Sequence, residues 1–295
     1  MKHHILAIAA AIASLQASAD APQTNANGYR LVWGDEFDYV GAPDSTKWTF
    51  ERGFVRNKEP QWYQPDNARV ADGCLILEAR AEHADNPDYD PASTDWRYSR
   101  KGAEVTSSSV RTRGLMHFLY GSLEVRARIP ARDGAWPAIW TLGLTNPWPS
   151  NGEIDILEYY EVGGEPKILA NAAWGSDTAG AGRWNTKRVP YSHFTERDPQ
   201  WADKFHVWRM DWTPDHIRIY IDDELINDID ITGTINGKNA GEGENPFHKP
   251  HFMLLNLALK DYSGKGIDPA TLPIRYEIDY VRLYQAPDEK IMIQK

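Results

Sequence analysis

From Tyr29 to Tyr284 the chain is a succession of short runs in which apolar residues alternate with polar ones, each run closed by Gly, Pro, Asn or Asp. Period-two alternation turns one side of a strand inward and the other toward water, whereas an amphipathic helix needs a period near 3.6. Residues 74–79, 122–129, 168–174, 205–212, 217–221, 252–259 and 276–284 read as such strands. Their spacing predicts an all-β sandwich rather than alternating strands and helices. Ile217 to Ile226 reads as a hairpin turning at Asp222-Asp223-Glu224. Residues 83–101, rich in Asp and Pro, and 236–250, rich in Gly and Asn, read as surface loops. No internal repeat or low-complexity linker interrupts the pattern, so one domain is expected over residues 29–286.

The ends read differently. Lys2 precedes an apolar run from Ile5 to Leu15, followed by Ala17-Ser18-Ala19. A charged start, a short apolar stretch and a small-x-small site describe a secretory leader over residues 1–19, cut before Asp20. The run is too short to span a bilayer, and no Cys follows the cut to carry a lipid. The competing reading is a buried N-terminal helix. Residues 20–28 read as a polar linker and 287–295 as a loose tail. A secreted or periplasmic chain without a lipid anchor or a membrane span is the expectation, with a monomer as the simplest state.

The formal charge is −10, and it becomes −11 without Lys2 (31 basic against 42 acidic residues). An acidic chain without basic clusters argues against nucleic acid and anionic membranes as partners. A highly sulfated polysaccharide is a less natural substrate on the same ground, although local charge in a cleft can oppose net charge. The single cysteine, Cys74, excludes an intrachain disulfide and cysteine-based zinc cages, and reads as a buried apolar thiol. Twelve Trp and fourteen Tyr stand out. Flat aromatic faces stack on sugar rings as readily as they fill a sandwich core, and both uses are expected here.

One run carries candidate chemistry: Asn151-Gly152-Glu153-Ile154-Asp155-Ile156-Leu157-Glu158. Strict alternation places Glu153 and Asp155 on one face and Glu158 on the other. One extra residue near Ile156-Leu157, a β-bulge, returns Glu158 to the face of the other acids. Glu153 and Glu158 then stand four ordinary steps apart, roughly 13 Å between Cα atoms. If the two side chains lean toward each other, their carboxyl groups approach the ~5–5.5 Å of glycosidases that retain anomeric configuration. Asp155 between them can hydrogen-bond one Glu and keep the two ionisations apart. Taken alone, the acids are equally consistent with a solvated strand edge or a cation site.

The run resembles the bulged catalytic motif of glycoside hydrolase family sixteen, in its laminarinase-like branch. Trp136-Pro137-Ala138-Ile139-Trp140, the strand from Gly121 to Arg128, Trp33-Gly34-Asp35-Glu36-Phe37 and the stretch from Ile278 to Tyr284 carry the likeness to both sides. The resemblance implies a β-jelly-roll of two antiparallel sheets with a concave cleft, and an endo-acting glycosidase needing no cofactor for catalysis. It implies Glu153 as nucleophile, Glu158 as acid and base, and Asp155 as the residue that orients Glu153. Trp136, Trp140, Trp148 and Trp174 become candidate sugar platforms, and Asn57 with Glu59 a candidate cleft edge. A structural calcium on the convex side would fall at Glu36, Gly73 and Asp279, where oxygen ligands suit that ion.

Two segments depart from the branch. Ala172-Ala173 stand before Trp174 where a His is common, and Lys260-Asp261-Tyr262-Ser263-Gly264 replaces a Gly-Gly-x-Trp-Pro-Gly stretch. The expected substrate is a β-1,3-glucan of laminarin type. A galactose-containing glycan, a transglycosylase reaction, or a non-catalytic sugar-binding sandwich are the alternatives.

Overall fold

A computed structural model describes residues 23–287 except 179, 239, 263 and 265. The leader reading over residues 1–19 and nearly all of the tail lie outside them. Within the linker, Thr24 bridges Arg30, and the Asn25 side chain accepts from the backbone N–H groups of Asn27 and Tyr29, so its second half is a closed turn.

Among the described residues the strands form two sheets, one of ten strands and one of seven, almost entirely antiparallel. The seven-stranded sheet carries the site, and its strands are labelled in chain order. They are β1 (Thr49–Phe50), β2 (Ser109–Arg111), β3 (Ala135–Gly143), β4 (Glu153–Val162), β5 (Glu165–Gly175), β6 (Gly182–Pro190) and β7 (His251–Leu259). Their spatial order is β6-β5-β4-β3-β7-β2-β1. The opposing sheet is centred on Gly121–Arg128, Ile274–Gln285 and His206–Trp212.

The core lies between the sheets because alternate residues of both supply it. Ile139, Ile154, Ile168 and Leu255 come from one face, and Leu123, Val125, Trp208, Met210, Ile278 and Val281 from the other, all fully buried. The expected hairpin forms between His216–Ile221 and Glu224–Asp230, and Asp222 and Asp223 take the positive φ values that such a tight turn requires. The loop expected over residues 83–101 begins later, since Cys74–Asp85 continues as a strand through His83. Cys74 is a free thiol only half shielded from water, and burial pushes its pKa up to about 11.

Candidate active site

The acid run becomes β4, and its neighbours measure the register. Glu153 faces Leu142 on β3, Asp155 faces Trp140, and Glu158 faces Ala138. Six residues along β4 therefore match five along β3, because the register shifts between Asp155 and Leu157. Ile156 and Leu157 both enter the core, and the extra residue returns Glu158 to the side of Glu153 and Asp155. Without that shift Glu158 would point into aliphatic side chains.

All three acids line one cleft of about 740 Å³ on the outer face of the seven-stranded sheet. Trp136, Trp140 and Leu142 from β3, Tyr160 from β4, and Leu169 and Asn171 from β5 complete its floor, and Trp184, Thr186 and Arg188 from β6 form one wall. Arg56, Asn57 and Glu59 approach from the N-terminal loop.

Each glutamate is held by an indole. Trp148 Nε1 donates to Glu153 Oε2 at 2.7 Å, and Trp136 Nε1 donates to Glu158 Oε1 at 3.0 Å. Asn171 donates through Nδ2 to both Asp155 Oδ2 (3.0 Å) and Glu158 Oε2 (2.9 Å). Nothing in the acid motif announced Asn171. The available signal was a lone amide inside the apolar run from Ile168 to Trp174.

The environments separate the three ionisations. Burial, and then the charge of Glu153, push Glu158 up to about 7. Burial raises Asp155 well above the usual carboxylate range, and the charges of Glu153 and Glu158 add to it, so Asp155 keeps its proton and donates it in a hydrogen bond to Glu153. Burial raises Glu153 as well, but the Trp148 and Asp155 bonds favour its carboxylate form. The site thus holds an acid near neutrality beside a hydrogen-bonded carboxylate, the division that acid-assisted displacement at a sugar carbon requires.

The other sequence candidates divide. Trp136 and Trp148 meet the glutamates as described, and Trp148 is about half exposed (48%) and able to stack on a ligand. Trp140 lies in the floor, only 7% exposed, bonded to Asn256 Oδ1 at 2.7 Å and covered by the Arg56 guanidinium 4.8 Å from its ring. Trp174 is not in the cleft. Leu169 and Asn171 point into the cleft, so Trp174, an odd number of residues further along β5, turns to the core with Ile168, Ala170 and Ala172, its ring edge-on to Phe247. Trp184, 46% exposed and 6.4 Å from Trp148 between ring centres, occupies the cleft instead. Asn57 lies on the cleft edge and donates to Glu59, which is buried and also bonded by Gln61.

At the positions considered for calcium, where backbone oxygens and one Asp would be the ligands, the acidic side chains are paired with arginines. Arg282 grips both oxygens of Glu36 at 2.8–2.9 Å, and Arg126 pairs with Asp279. Gly73 sits in an open turn between strands. A cation using the Asp279 side chain would have to displace Arg126, whereas the Glu36 pair with Arg282 involves its carboxylate and not its backbone oxygen.

A model of glycosyl hydrolases family 16 matches residues 60–282. The chain belongs to this family. It is a glycoside hydrolase acting on O-glycosyl bonds. A beta-glucanase of Rhodothermus marinus is 35% identical over 272 residues, covering 87% of this chain and 85% of that protein. The structure of the laminarinase from Rhodothermus marinus superposes with a TM-score of 0.66 at 35% identity, covering 87% of this chain and 97% of that one. A structure from work on endo-acting O-glycanases, expressed by prominent members of the human gut microbiota to initiate mucin breakdown, reaches a TM-score of 0.80. It is also 35% identical and covers 91% of this chain and 95% of that one. Among the described residues no helix is long and apolar enough to cross a membrane.

Proposed function

We propose that this family 16 hydrolase is an exported, endo-acting β-glycosidase that cleaves β-1,3-glucan with retention of anomeric configuration. The observation that carries the reaction is the convergence of Glu153, Asp155 and Glu158 on one cleft with separated ionisations. In the first step the Glu153 carboxylate attacks the anomeric carbon while Glu158 gives its proton to the glycosidic oxygen. The carbon–oxygen bond to the leaving sugar breaks, and a glycosyl ester forms on Glu153. In the second, the Glu158 carboxylate takes a proton from water, the oxygen attacks the same carbon, and Glu153 leaves with its electron pair. Two inversions restore the β configuration. Protonated Asp155 orients Glu153, and its hydrogen bond stabilises the carboxylate that departs.

The cleft supports an endo mode because it is open along an array of aromatic side chains rather than closed around one ring. The glucan assignment draws on the beta-glucanase and laminarinase relatives. Export draws on the leader-like composition of residues 1–19. A second reading, an endo-β-galactosidase acting on galactose-containing O-glycans, is favoured by the higher structural similarity to the O-glycanase study, 0.80 against 0.66 at equal identity.

A reducing-end assay on laminarin, lichenan, agarose and a poly-lactosamine glycan distinguishes the two. Cleavage of laminarin is expected. Cleavage of the poly-lactosamine glycan alone would transfer the assignment to the galactosidase. Proton NMR of the first product should show the β-anomer, and an initial α-anomer would end the retaining mechanism.

A further inference from the structure

The cleft wall around Tyr160 is cationic, in a chain with a formal charge of −10. On β6, Arg188 lies opposite Leu169, and Leu169 lies opposite Glu158. Arg188 therefore stands two strands from Glu158 on the same face, on the order of 10 Å between backbones. On the other flank, Lys260 follows β7. Its Nζ lies 4.4 Å from the ring centre of Tyr160, 5.2 Å from Trp136 and 5.4 Å from Tyr262. Because β6 and β7 are on opposite sides of β4, Tyr160 has one cation on each side.

These two cations are unlike most others in the chain. Arg56, Arg126, Arg128, Arg209 and Arg282 are each paired with a carboxylate. Among the described residues neither Arg188 nor Lys260 has an acidic side chain within ion-pair distance. Rings hold the Lys260 ammonium through their quadrupoles, which fixes the group without neutralising it. Arg188 is exposed and lines the cleft. A lone exposed arginine is ordinarily a solvated surface group. Here the arginine lines a glycan cleft two strands from Glu158, and the Lys260 ammonium lies against Trp136 and Tyr160, two of the rings that line the same cleft.

Long-range repulsion from the acidic chain opposes any polyanion, and Glu59, Glu153 and Asp155 line the rest of the cleft. An anionic group is therefore accommodated only where local cations outweigh that field. A guanidinium presents its N–H donors as a planar fork that matches sulfate and carboxylate oxygens. We propose that Arg188, with the Lys260 ammonium adding positive potential from beside the Trp136 and Tyr160 rings, forms a subsite for an anionic substituent, a sulfate ester or a carboxylate, on the glycan being cleaved. This rests on the endo-glycosidase reading and narrows its substrate class to chains that carry such groups near the scissile bond.

The test compares kcat/KM on matched pairs: laminarin with sulfated laminarin, desulfated with native keratan sulfate, and desialylated with sialylated O-glycan. The sulfate and carboxylate pairs separate the two sources of charge. The wild-type enzyme should prefer the anionic member of at least one pair by about tenfold at low salt, and the preference should shrink as salt screens it. Arg188→Gln should lower that anionic-to-neutral ratio about tenfold, and Lys260→Gln should lower it by less, because that ammonium is held back against the rings. Equal or better turnover of the neutral member in every pair overturns the proposal, as does an unchanged ratio in Arg188→Gln. Absence of cleavage on all six glycans would count against the endo-glycosidase reading. The subsite is then judged by binding alone, using the retardation of Glu158→Gln protein in gels containing each glycan. Stronger retardation by the anionic member that disappears on adding Arg188→Gln supports it, and equal retardation overturns it.

Discussion

Trp136 Nε1 donates a 3.0 Å hydrogen bond to Glu158 Oε1. The bond aims the carboxyl group and favours its ionised form, against the burial and the Glu153 charge that raise its pKa to about 7. Trp136→Phe keeps an aromatic ring but removes the donor. It should lower kcat about tenfold and move the alkaline limb of the pH–rate profile upward, since the acid then holds its proton to higher pH. An alkaline limb that stays in place would show that the indole only fills space.

The two glutamates should fail differently. Glu158→Ala should lose on the order of 10²–10⁴ in rate on natural glycans. It should retain partial activity on aryl glycosides whose leaving group needs no proton, with azide restoring turnover. Glu153→Ala should lose both activities, because no covalent intermediate can form. Turnover of aryl glycosides at wild-type rates in Glu153→Ala would remove that residue from the nucleophile role.

Stability should depend on pH in the direction opposite to an ordinary ion-paired acid. Burial and the charge of Glu153 push Glu158 from its ordinary value of 4.5 up to about 7 in the fold, so the native state binds the extra proton in between. The native state therefore loses stability as pH rises through that window, and the loss is complete above about 7 and absent below about 4.5. Glu158→Gln, always neutral, should be more stable than wild type by on the order of 1–3 kcal/mol at pH 8, with the gain vanishing near pH 4. Denaturant melts at the two pH values check this, and a gain of equal size at both would show a packing effect.

Trp174 and Trp184 form a control pair. Trp184→Ala should raise KM about tenfold and leave the melting temperature nearly unchanged, because its exposed ring has little to unpack. Trp174→Ala should cost about 2–4 kcal/mol of stability, because it opens a gap beside Phe247 in the core. If the Trp174 variant instead raised KM at constant stability, the assignment of the two rings would be reversed.

Chelation addresses the convex side. With the Asp279 side chain paired to Arg126, EDTA should shift the melting temperature by no more than about 1 °C. A fall of several degrees, reversed by added calcium, would establish a cation site there.

The strands with a buried face were legible, because burial fills that face with apolar residues. Residues 122–129 were expected and Gly121–Arg128 is observed; 252–259 were expected and His251–Leu259 is observed. Strand β6 left no such trace. It is the edge of its sheet and mostly exposed on both faces, so its sequence Arg183-Trp184-Asn185-Thr186-Lys187-Arg188 shows no apolar rhythm. Trp184, Thr186 and Arg188 were missed for that reason. Asn171 was missed for another, since only the chain fold brings β5 beside the acids.

The acid spacing, the leader-like start, the aromatic surplus and the all-β periodicity are properties of residues close in sequence, and the sequence alone determined them. Which indole meets which glutamate, which tryptophan turns inward, and where unpaired cations gather depend on strand register and sheet order. A single register step reverses the face of every later side chain, and strand order joins residues more than a hundred positions apart. Those choices were made by the tertiary structure.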